Sequence, residues 1–208
     1  MNDLHILIVD DHALVREGLK ARLLAEPGVV RVTEAADAGE ALKWLDDGPP
    51  PALMLTDISM RGMTGIALMQ QVRERHPTLP VIVLSMYEHR EYVIAAVRAG
   101  ARGYVLKDSP LDEIVDAVHA VLAGSQHFSA GIADLARGVP ASAPQITERE
   151  REVLLLVAHG RSNKDVAQRL GISVRTVETH RLSLRRKLGV ESPSEFLKLA
   201  VAQGWTQL

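Results

Sequence analysis

The chain has 208 residues, 47% of them hydrophobic and 24% charged, enough to bury one good core or two modest ones. It contains no cysteine, which excludes disulfides and thiolate metal or redox sites. No apolar run approaches the ~20 residues that cross a bilayer and the N-terminus has no signal-peptide pattern, so a cytoplasmic protein with no membrane partner is expected. The formal net charge of -2 divides unevenly: residues 1–123 carry 12 Lys and Arg against 18 Asp and Glu, and residues 124–208 carry 12 against 8. An acidic module followed by a basic one implies two partners of different kinds.

Ile6-Leu7-Ile8-Val9 is a β-branched apolar run that stops at Asp10-Asp11, a strand delivering carboxylates at its end. Val15, Leu19 and Leu23 recur at helical spacing, and Val29 to Thr33 reads as a second strand. Ala38 to Leu45 reads as a helix, closed by the breaker Asp47-Gly48-Pro49-Pro50-Pro51. Leu53-Met54-Leu55-Thr56-Asp57 is a strand buried on both faces that again ends in a carboxylate. A loop through Gly62 and Gly65 leads to a helix from Ile66 to Arg75. Val81 to Leu84 is a fourth strand ending at Ser85, followed by a helix from Glu91 to Ala99. Gly103 to Leu106 is a fifth strand ending at Lys107, and Leu111, Ile114, Val115, Val118 and Leu122 form the stripe of a last helix.

Strands alternating with helices imply a flavodoxin-like, doubly wound (βα)5 parallel sheet of order 2-1-3-4-5. That order brings Asp10, Asp11 and Asp57 together at the carboxyl edge, with Ser85 and Lys107 arriving from the next strands. Clustered carboxylates do not stay ionised together without a cation, and hard oxygen ligands favour Mg²⁺. A metal, an ammonium and a hydroxyl around one carboxylate make a phosphoryl-acceptor pocket, with Asp57 on the central strand as nucleophile. A phosphohydrolase of the haloacid-dehalogenase kind uses similar groups but carries an Asp two residues beyond its nucleophile, where this chain has Ser59.

Asp10-Asp11, Asp57, Ser85, Tyr104 and Lys107, at the ends of successive strands, resemble the receiver domain of two-component response regulators over roughly residues 4–123. The resemblance implies that Asp57 is phosphorylated by a histidine kinase and that the receiver catalyses only its own phosphoryl transfer and slow dephosphorylation. It further implies that Asp11, Asp57 and the Ser59 carbonyl ligate Mg²⁺, that Asp10 acts through water, and that Ser85 and Tyr104 form a switch pair. Two positions depart from the family pattern. Arg61 stands where Pro often follows Met, and Asp108 stands where Pro often follows the Lys, so a trans Lys107–Asp108 peptide is expected. No histidine is given a role, and His12 is read as a helix-capping or solvent-facing residue.

Apolar periodicity fades after Gly124, and Gly138 to Pro144 is small, Pro-bearing and almost uncharged, so residues 124–145 are read as a linker between a receiver at 1–123 and a second module at 146–208. Within the linker, Ile132 to Ala136 is read as a helical turn or two. Thr147-Glu148-Arg149-Glu150 is a capping box opening a helix that runs to about His159. Asn163 to Leu170 is the next helix, Gly171 supplies a left-handed turn, and Ser173 caps a third helix from Val174 to Leu188. Pro193 opens a fourth, to Ala202. This is a small all-α helix-turn-helix module.

On the third helix Val177, Leu184 and Leu188 share one face, while Arg175, Glu178, Thr179, Leu182 and Arg186 lie opposite with Arg185 beside them. With Arg181 and Lys187 added, the helix is basic enough to suit a major groove and its phosphates. The stretches 147–150, 160–164, 176–180 and 187–190 resemble the LuxR-type DNA-binding domain of the NarL/FixJ regulators. That resemblance adds Asn163, Lys164, Ser173 and Thr176 to the expected contacts with double-stranded DNA and implies a homodimer through the fourth helix. Glu178 and Leu182 stand where family members often place Lys, so the target sequence is not carried over. The expected whole is a phosphorylation-controlled transcription regulator.

Overall fold

The apolar runs become the centre of a parallel sheet in the computed structural model, which describes residues 3–137, 146–188, 190 and 192–206 but not the side chains of Arg186 and Ala202. The chain divides into two compact units, Met1–Ala141 and Ser142–Leu208. In the first, strands β1 (Leu4–Val9), β2 (Val29–Ala35), β3 (Leu53–Asp57), β4 (Val81–Ser85), β5 (Gly103–Leu106) and β6 (His127–Phe128) run in the order β2-β1-β3-β4-β5-β6. Every pairing is parallel. The expected 2-1-3-4-5 order is therefore present, with one strand added.

Helices α1 (Ala13–Leu24), α2 (Ala38–Asp47), α3 (Gly65–Arg75), α4 (Arg90–Ala99) and α5 (Leu111–Leu122) connect the first five strands and complete the doubly wound form. Strand residues alternate between faces. Ile6, Ile8, Leu53, Leu55, Ile82, Leu84 and Val105 join Leu19 and Leu23 of α1 and Ile114, Val115 and Val118 of α5 in one core. Their alternates Leu7, Met54 and Val83 are equally buried and serve the opposite face. Burying a Leu or Ile side chain is worth about 1.5–3 kcal/mol, which explains why the four central strands read as unbroken apolar runs. The helix ends follow local chemistry: Asp37 and Thr64 cap α2 and α3 by accepting from the N–H groups of Glu40 and Ala67, and Gly100 (φ 101°) closes α4 in the left-handed region.

The reading of 124–145 as a linker needs correction in its first part. His127 N–H donates to the Arg102 carbonyl and Ser129 N–H to the Tyr104 carbonyl, which lays β6 along the outer edge of β5. A short helix α6 (Ile132–Ala136) then packs against α4 with Ile132 buried. Residues 138–145, the rest of that stretch, lie outside the described residues.

The second unit consists of helices α7 (Glu148–Ala158), α8 (Asn163–Leu170), α9 (Val174–Leu188) and α10 (Pro193–Ala202). Capping boxes open α7, α8 and α10 at Thr147, Ser162 and Ser192. Gly171 (φ 63°) makes the left-handed turn between α8 and α9. Val153, Leu154, Val166, Val177, Leu184, Phe196 and Leu199 form the core, and α10 packs on α7. Among the described residues no helix is long and apolar enough to cross a membrane.

Candidate functional site

Parallel register aligns the strand ends. Val9 pairs with Thr56, Asp57 with Leu84 and Ser85 with Leu106, so Asp10, Asp57, Ser85 and Lys107 emerge from four adjacent strands at one edge. Lys107 Nζ lies 2.8 Å from Asp10 Oδ2 and 2.8 Å from Asp57 Oδ2. Its backbone N–H donates to the Ser85 carbonyl at 2.9 Å, which fixes the residue to the neighbouring strand. Burial alone would lower the ammonium, but its bonds to Asp10 and Asp57 outweigh that and hold it above its ordinary value. Asp57 is pushed upward, chiefly by burial and further by Asp10, against the pull of Lys107. One ammonium thus leaves the clustered carboxylates short of positive charge.

The loop after Asp57 is tied down without the proline that Arg61 replaces. Ser59 N–H donates to Asp57 Oδ1 at 3.2 Å, Gly65 N–H closes the loop onto the Ile58 carbonyl at 2.9 Å, and Met60 is buried while Arg61 is exposed. Gly62 takes φ 79°, and a Cβ on Gly65 would stand 1.9 Å from the Asp57 carbonyl oxygen, so both positions require glycine. The Lys107–Asp108 peptide is trans, as expected.

Asp10, Asp11, His12 and Asp57 each offer a ligand atom, all within 4.8 Å of one another. The Asp10 side chain is fully buried, and Asp11 Oδ1 is a buried oxygen that receives no hydrogen bond. Hard carboxylate oxygens with an orphaned acceptor among them fit a small divalent cation such as Mg²⁺. His12, read from sequence as helix-capping or solvent-facing, stands at the N-cap of α1 with its side chain 65% exposed and makes no capping hydrogen bond. Its ring turns instead to the pocket, with Nδ1 3.1 Å from Asp10 Oδ1 and 2.9 Å from Asp11 Oδ1.

Ser85 and Tyr104 are both fully buried. The Tyr104 hydroxyl donates to the Tyr87 carbonyl at 2.6 Å, and Tyr87 N–H donates to Ser85 Oγ at 3.0 Å. Burial drives the Tyr104 hydroxyl far above its ordinary pKa. The Tyr87 ring stacks on that of Tyr92 at 4.6 Å between centroids, so all three tyrosines of the chain stand together. Tyr87 went unnoticed in the sequence; its place two residues after the strand-ending Ser85 was the available signal. Ser129 was missed as well: its Oγ donates to Glu113 at 2.5 Å beside the end of β5.

In the second unit α9 buries Val177, Leu184 and Leu188 and exposes Arg175, Glu178, Thr179, Leu182 and Arg185, as the helical period predicts. The side chain of Arg186 lies outside the described ones. Exposed Lys164 stands in the first turn of α8. Ser173 Oγ accepts from Thr176 N–H at 3.0 Å and meets its hydroxyl at 2.8 Å, fixing the start of α9. Arg181 bonds Asn163 Oδ1, tying α9 to α8. Lys187, counted above with the basic face, turns inward to Glu150.

Two family models match this chain: the response regulator receiver domain over residues 6–119, and the luxR family of bacterial regulatory proteins over residues 144–200. Among curated relatives, the transcriptional regulatory protein MctR of Rhizobium johnstonii is 38% identical, with 97% of this chain and 94% of the relative covered. The nitrate/nitrite response regulator protein NarL of Escherichia coli is 33% identical over 91% of each chain. Among solved structures, RcsB of Salmonella enterica serovar Typhimurium bound to a promoter in the presence of the phosphomimetic BeF3- superposes with a TM-score of 0.76. It is 27% identical, with 97% of this chain and 99% of that one covered. With a receiver at one end, a luxR-type domain at the other and relatives matched along nearly the whole length, the chain belongs to the response regulators that act as DNA-binding transcription regulators in two-component systems.

Proposed function

We infer that Asp57 accepts a phosphoryl group from a histidine kinase and that this controls DNA binding by α9. The observation that carries the reading is Lys107 Nζ at 2.8 Å from both Asp57 and Asp10, at the edge where the strands end. An Asp57 carboxylate oxygen attacks phosphorus, the bond from phosphorus to the donor's imidazole nitrogen breaks, and the leaving imidazole keeps the electron pair and takes a proton from water. Lys107 neutralises one phosphoryl oxygen and the Ser85 hydroxyl donates to another. Mg²⁺ would be held by Asp11, Asp57 and the Ser59 carbonyl with Asp10 acting through water, and would supply further positive charge for the same oxygens. No outside substrate is turned over; the chain catalyses its own phosphorylation and its slow reversal.

Drawing Ser85 to the phosphoryl group disturbs its bond with Tyr87 N–H, and Tyr104 holds the same residue by its carbonyl. The β4–α4 connection is therefore the segment that changes state. For domain limits we assign the phosphoacceptor function to 1–123, with β6 and α6 as its structural extension, the connection to 138–145 and DNA binding to 146–208. Direct contacts fall to the exposed Arg175, Glu178, Thr179, Leu182 and Arg185, with Lys164 on phosphate. Asn163, Arg181, Ser173 and Thr176 position the helix as well as face DNA. The RcsB structures, one of them described as two RcsB dimers bound to two parallel DNAs, support a homodimer on two half-sites here. The cytoplasm, where kinase and DNA meet, is the compartment proposed.

The test is labelling with a small acyl phosphate and Mg²⁺. The native chain takes up one acid-labile phosphate, and Asp57→Asn takes up none; label retained on the variant would move the nucleophile to Asp10 or Asp11.

A further inference from the structure

Leu182 is 68% exposed, and among the described residues of the second unit no large apolar side chain is more so. The other outward residues of α9 are Arg175, Glu178, Thr179 and Arg185. At ~100° per residue Leu182 falls near the middle of their arc, opposite the buried Val177 and Leu184. A leucine at that point has nothing to offer a phosphate. In a major groove the apolar group on a base edge is the thymine C5 methyl.

Glu178 poses the opposite problem. Its carboxylate is exposed on an otherwise basic face, and among the described residues it makes no ion pair and no side-chain hydrogen bond. Brought up to phosphates it is repelled, unless a base donor offsets the cost. Cytosine N4 and adenine N6 both donate in the major groove, but adenine carries the N7 acceptor beside N6, which opposes a carboxylate. Cytosine is the base that remains. The neighbours do not compete for it: the Thr179 hydroxyl donates to the Arg175 carbonyl at 3.0 Å, and Arg181 is held by Asn163. Glu178 and Leu182 are one turn apart, about 6 Å along the helix axis. That distance covers about one or two base-pair steps of 3.4 Å.

We propose that Glu178 and Leu182 choose the operator: Glu178 selects a C·G pair through cytosine N4, and Leu182 selects a T·A pair one or two steps away through the thymine methyl. The arginines around them supply attraction to the backbone, which carries no sequence information by itself. The apolar and the acidic residue are the two on this face with no use for a phosphate, so the sequence preference falls to them. The proposal rests on the reading of α9 as the element that enters the major groove.

The full-length chain, in the presence of BeF3-, selects duplexes from a randomised DNA pool, and the bound sequences are read. The native chain should enrich a half-site with cytosine and thymine one or two steps apart. Glu178→Lys should exchange that cytosine for guanine, whose O6 and N7 accept from an ammonium, and keep the thymine. Leu182→Ala should lose the thymine preference alone. A second measurement alters no residue of the protein: deoxyuridine in place of the selected thymine removes only the methyl. It should weaken native binding about fourfold, the worth of one buried methyl, and leave Leu182→Ala unaffected. Selection of the same sequence by Glu178→Lys, or native binding indifferent to deoxyuridine, overturns the proposal. If Arg185→Ala still weakens binding in that case, α9 keeps its place in the groove. If the native chain enriches no sequence, or no substitution on α9 changes either affinity or preference, the reading of α9 falls and the proposal with it.

Discussion

Lys187 Nζ lies 2.7 and 2.9 Å from the two carboxylate oxygens of Glu150, joining α9 to the first turn of α7. Glu150 is 4% exposed and also accepts from Ser183 Oγ at 2.7 Å and from Thr147 N–H at 2.8 Å. Burial works to raise this carboxyl, but Lys187, Ser183 and Thr147 outweigh it and bring it down to about 2. A capping residue thus doubles as the counter-ion that ties α9 to α7.

The sign of the linkage follows from that depression. Stability from Glu150 is complete above the ordinary carboxylate value of 4.5 and disappears as pH falls through about 2, for a total of about 3 kcal/mol. Trp205 reports on the second unit alone once Trp44 is replaced by Phe, because these are the only two tryptophans and they lie in different units. Urea unfolding followed at Trp205 should show Glu150→Gln less stable by about 2–3 kcal/mol at pH 7, with a flatter acid dependence. Equal midpoints for the two proteins at pH 7 would remove the pair from the account of α9.

Gly65→Ala should injure the phosphoacceptor without touching its chemistry. The added methyl would stand 1.9 Å from the Asp57 carbonyl oxygen, so the end of β3 must shift. Overpacking of this kind costs about 1–3 kcal/mol, and we expect acyl-phosphate labelling to slow at least tenfold. Native labelling rates in the variant would mean that the loop yields in place of the strand.

Ser85→Ala should slow phosphorylation, since a hydrogen bond to a charged oxygen is worth about 1.5–3 kcal/mol, or roughly 10- to 150-fold. Tyr104→Phe removes only the hydroxyl that holds the Tyr87 carbonyl. Its labelling rate should stay near native, while the gain in operator affinity on phosphorylation shrinks. The stacked pair Tyr87 and Tyr92 provides the readout: their ring resonances should shift on addition of BeF3- in the native chain and respond less in Tyr104→Phe. Loss of labelling in Tyr104→Phe would place the hydroxyl in the transfer step and not in its transmission.

On α9, Arg185→Ala and Arg175→Ala should weaken operator binding with little change in stability. A guanine contact costs about 1–3 kcal/mol and relaxes one base pair, whereas a phosphate contact lowers the salt slope by about 1. Arg181→Ala should differ, lowering unfolding stability as well, because it severs the tie to Asn163 on α8. Footprinting across a salt series, paired with urea unfolding, distinguishes the two groups. Identical behaviour of all three variants would refute the division.

What could be read from residues alone depended on the kind of signal. Strands β1, β3, β4 and β5 were legible because burial on both faces demands continuous apolar runs, and each run stops at Asp, Ser or Lys where the pocket begins. The helix-turn-helix was legible through its caps and Gly171. Strand β6 was not, because two residues have no period and its hydrogen bonds come from the backbone. Lys187 was assigned to the basic face because helical spacing places a residue on a flank without saying which neighbour will claim it. The capping-box reading of Glu150 hid that the carboxylate would be buried and in need of a cation. For His12 the sequence left two readings open, and the structure takes the solvent-facing one: the backbone occupies the N-cap position of α1 while the exposed ring makes no capping bond.

Strand β6 also determines where this protein can be divided. The outer margin of β5 is a row of backbone donors and acceptors, and His127–Phe128 occupies it through the bonds to Arg102 and Tyr104. A receiver truncated at Ala123 would present that margin naked, a ready template for cross-strand association between molecules. Such a fragment should self-associate at concentrations where one ending at Arg137 stays monomeric, a difference that sedimentation at matched concentrations resolves. In choosing fragments, then, the chain's fourteen residues after Ala123 are a seal on the sheet rather than a dispensable tail.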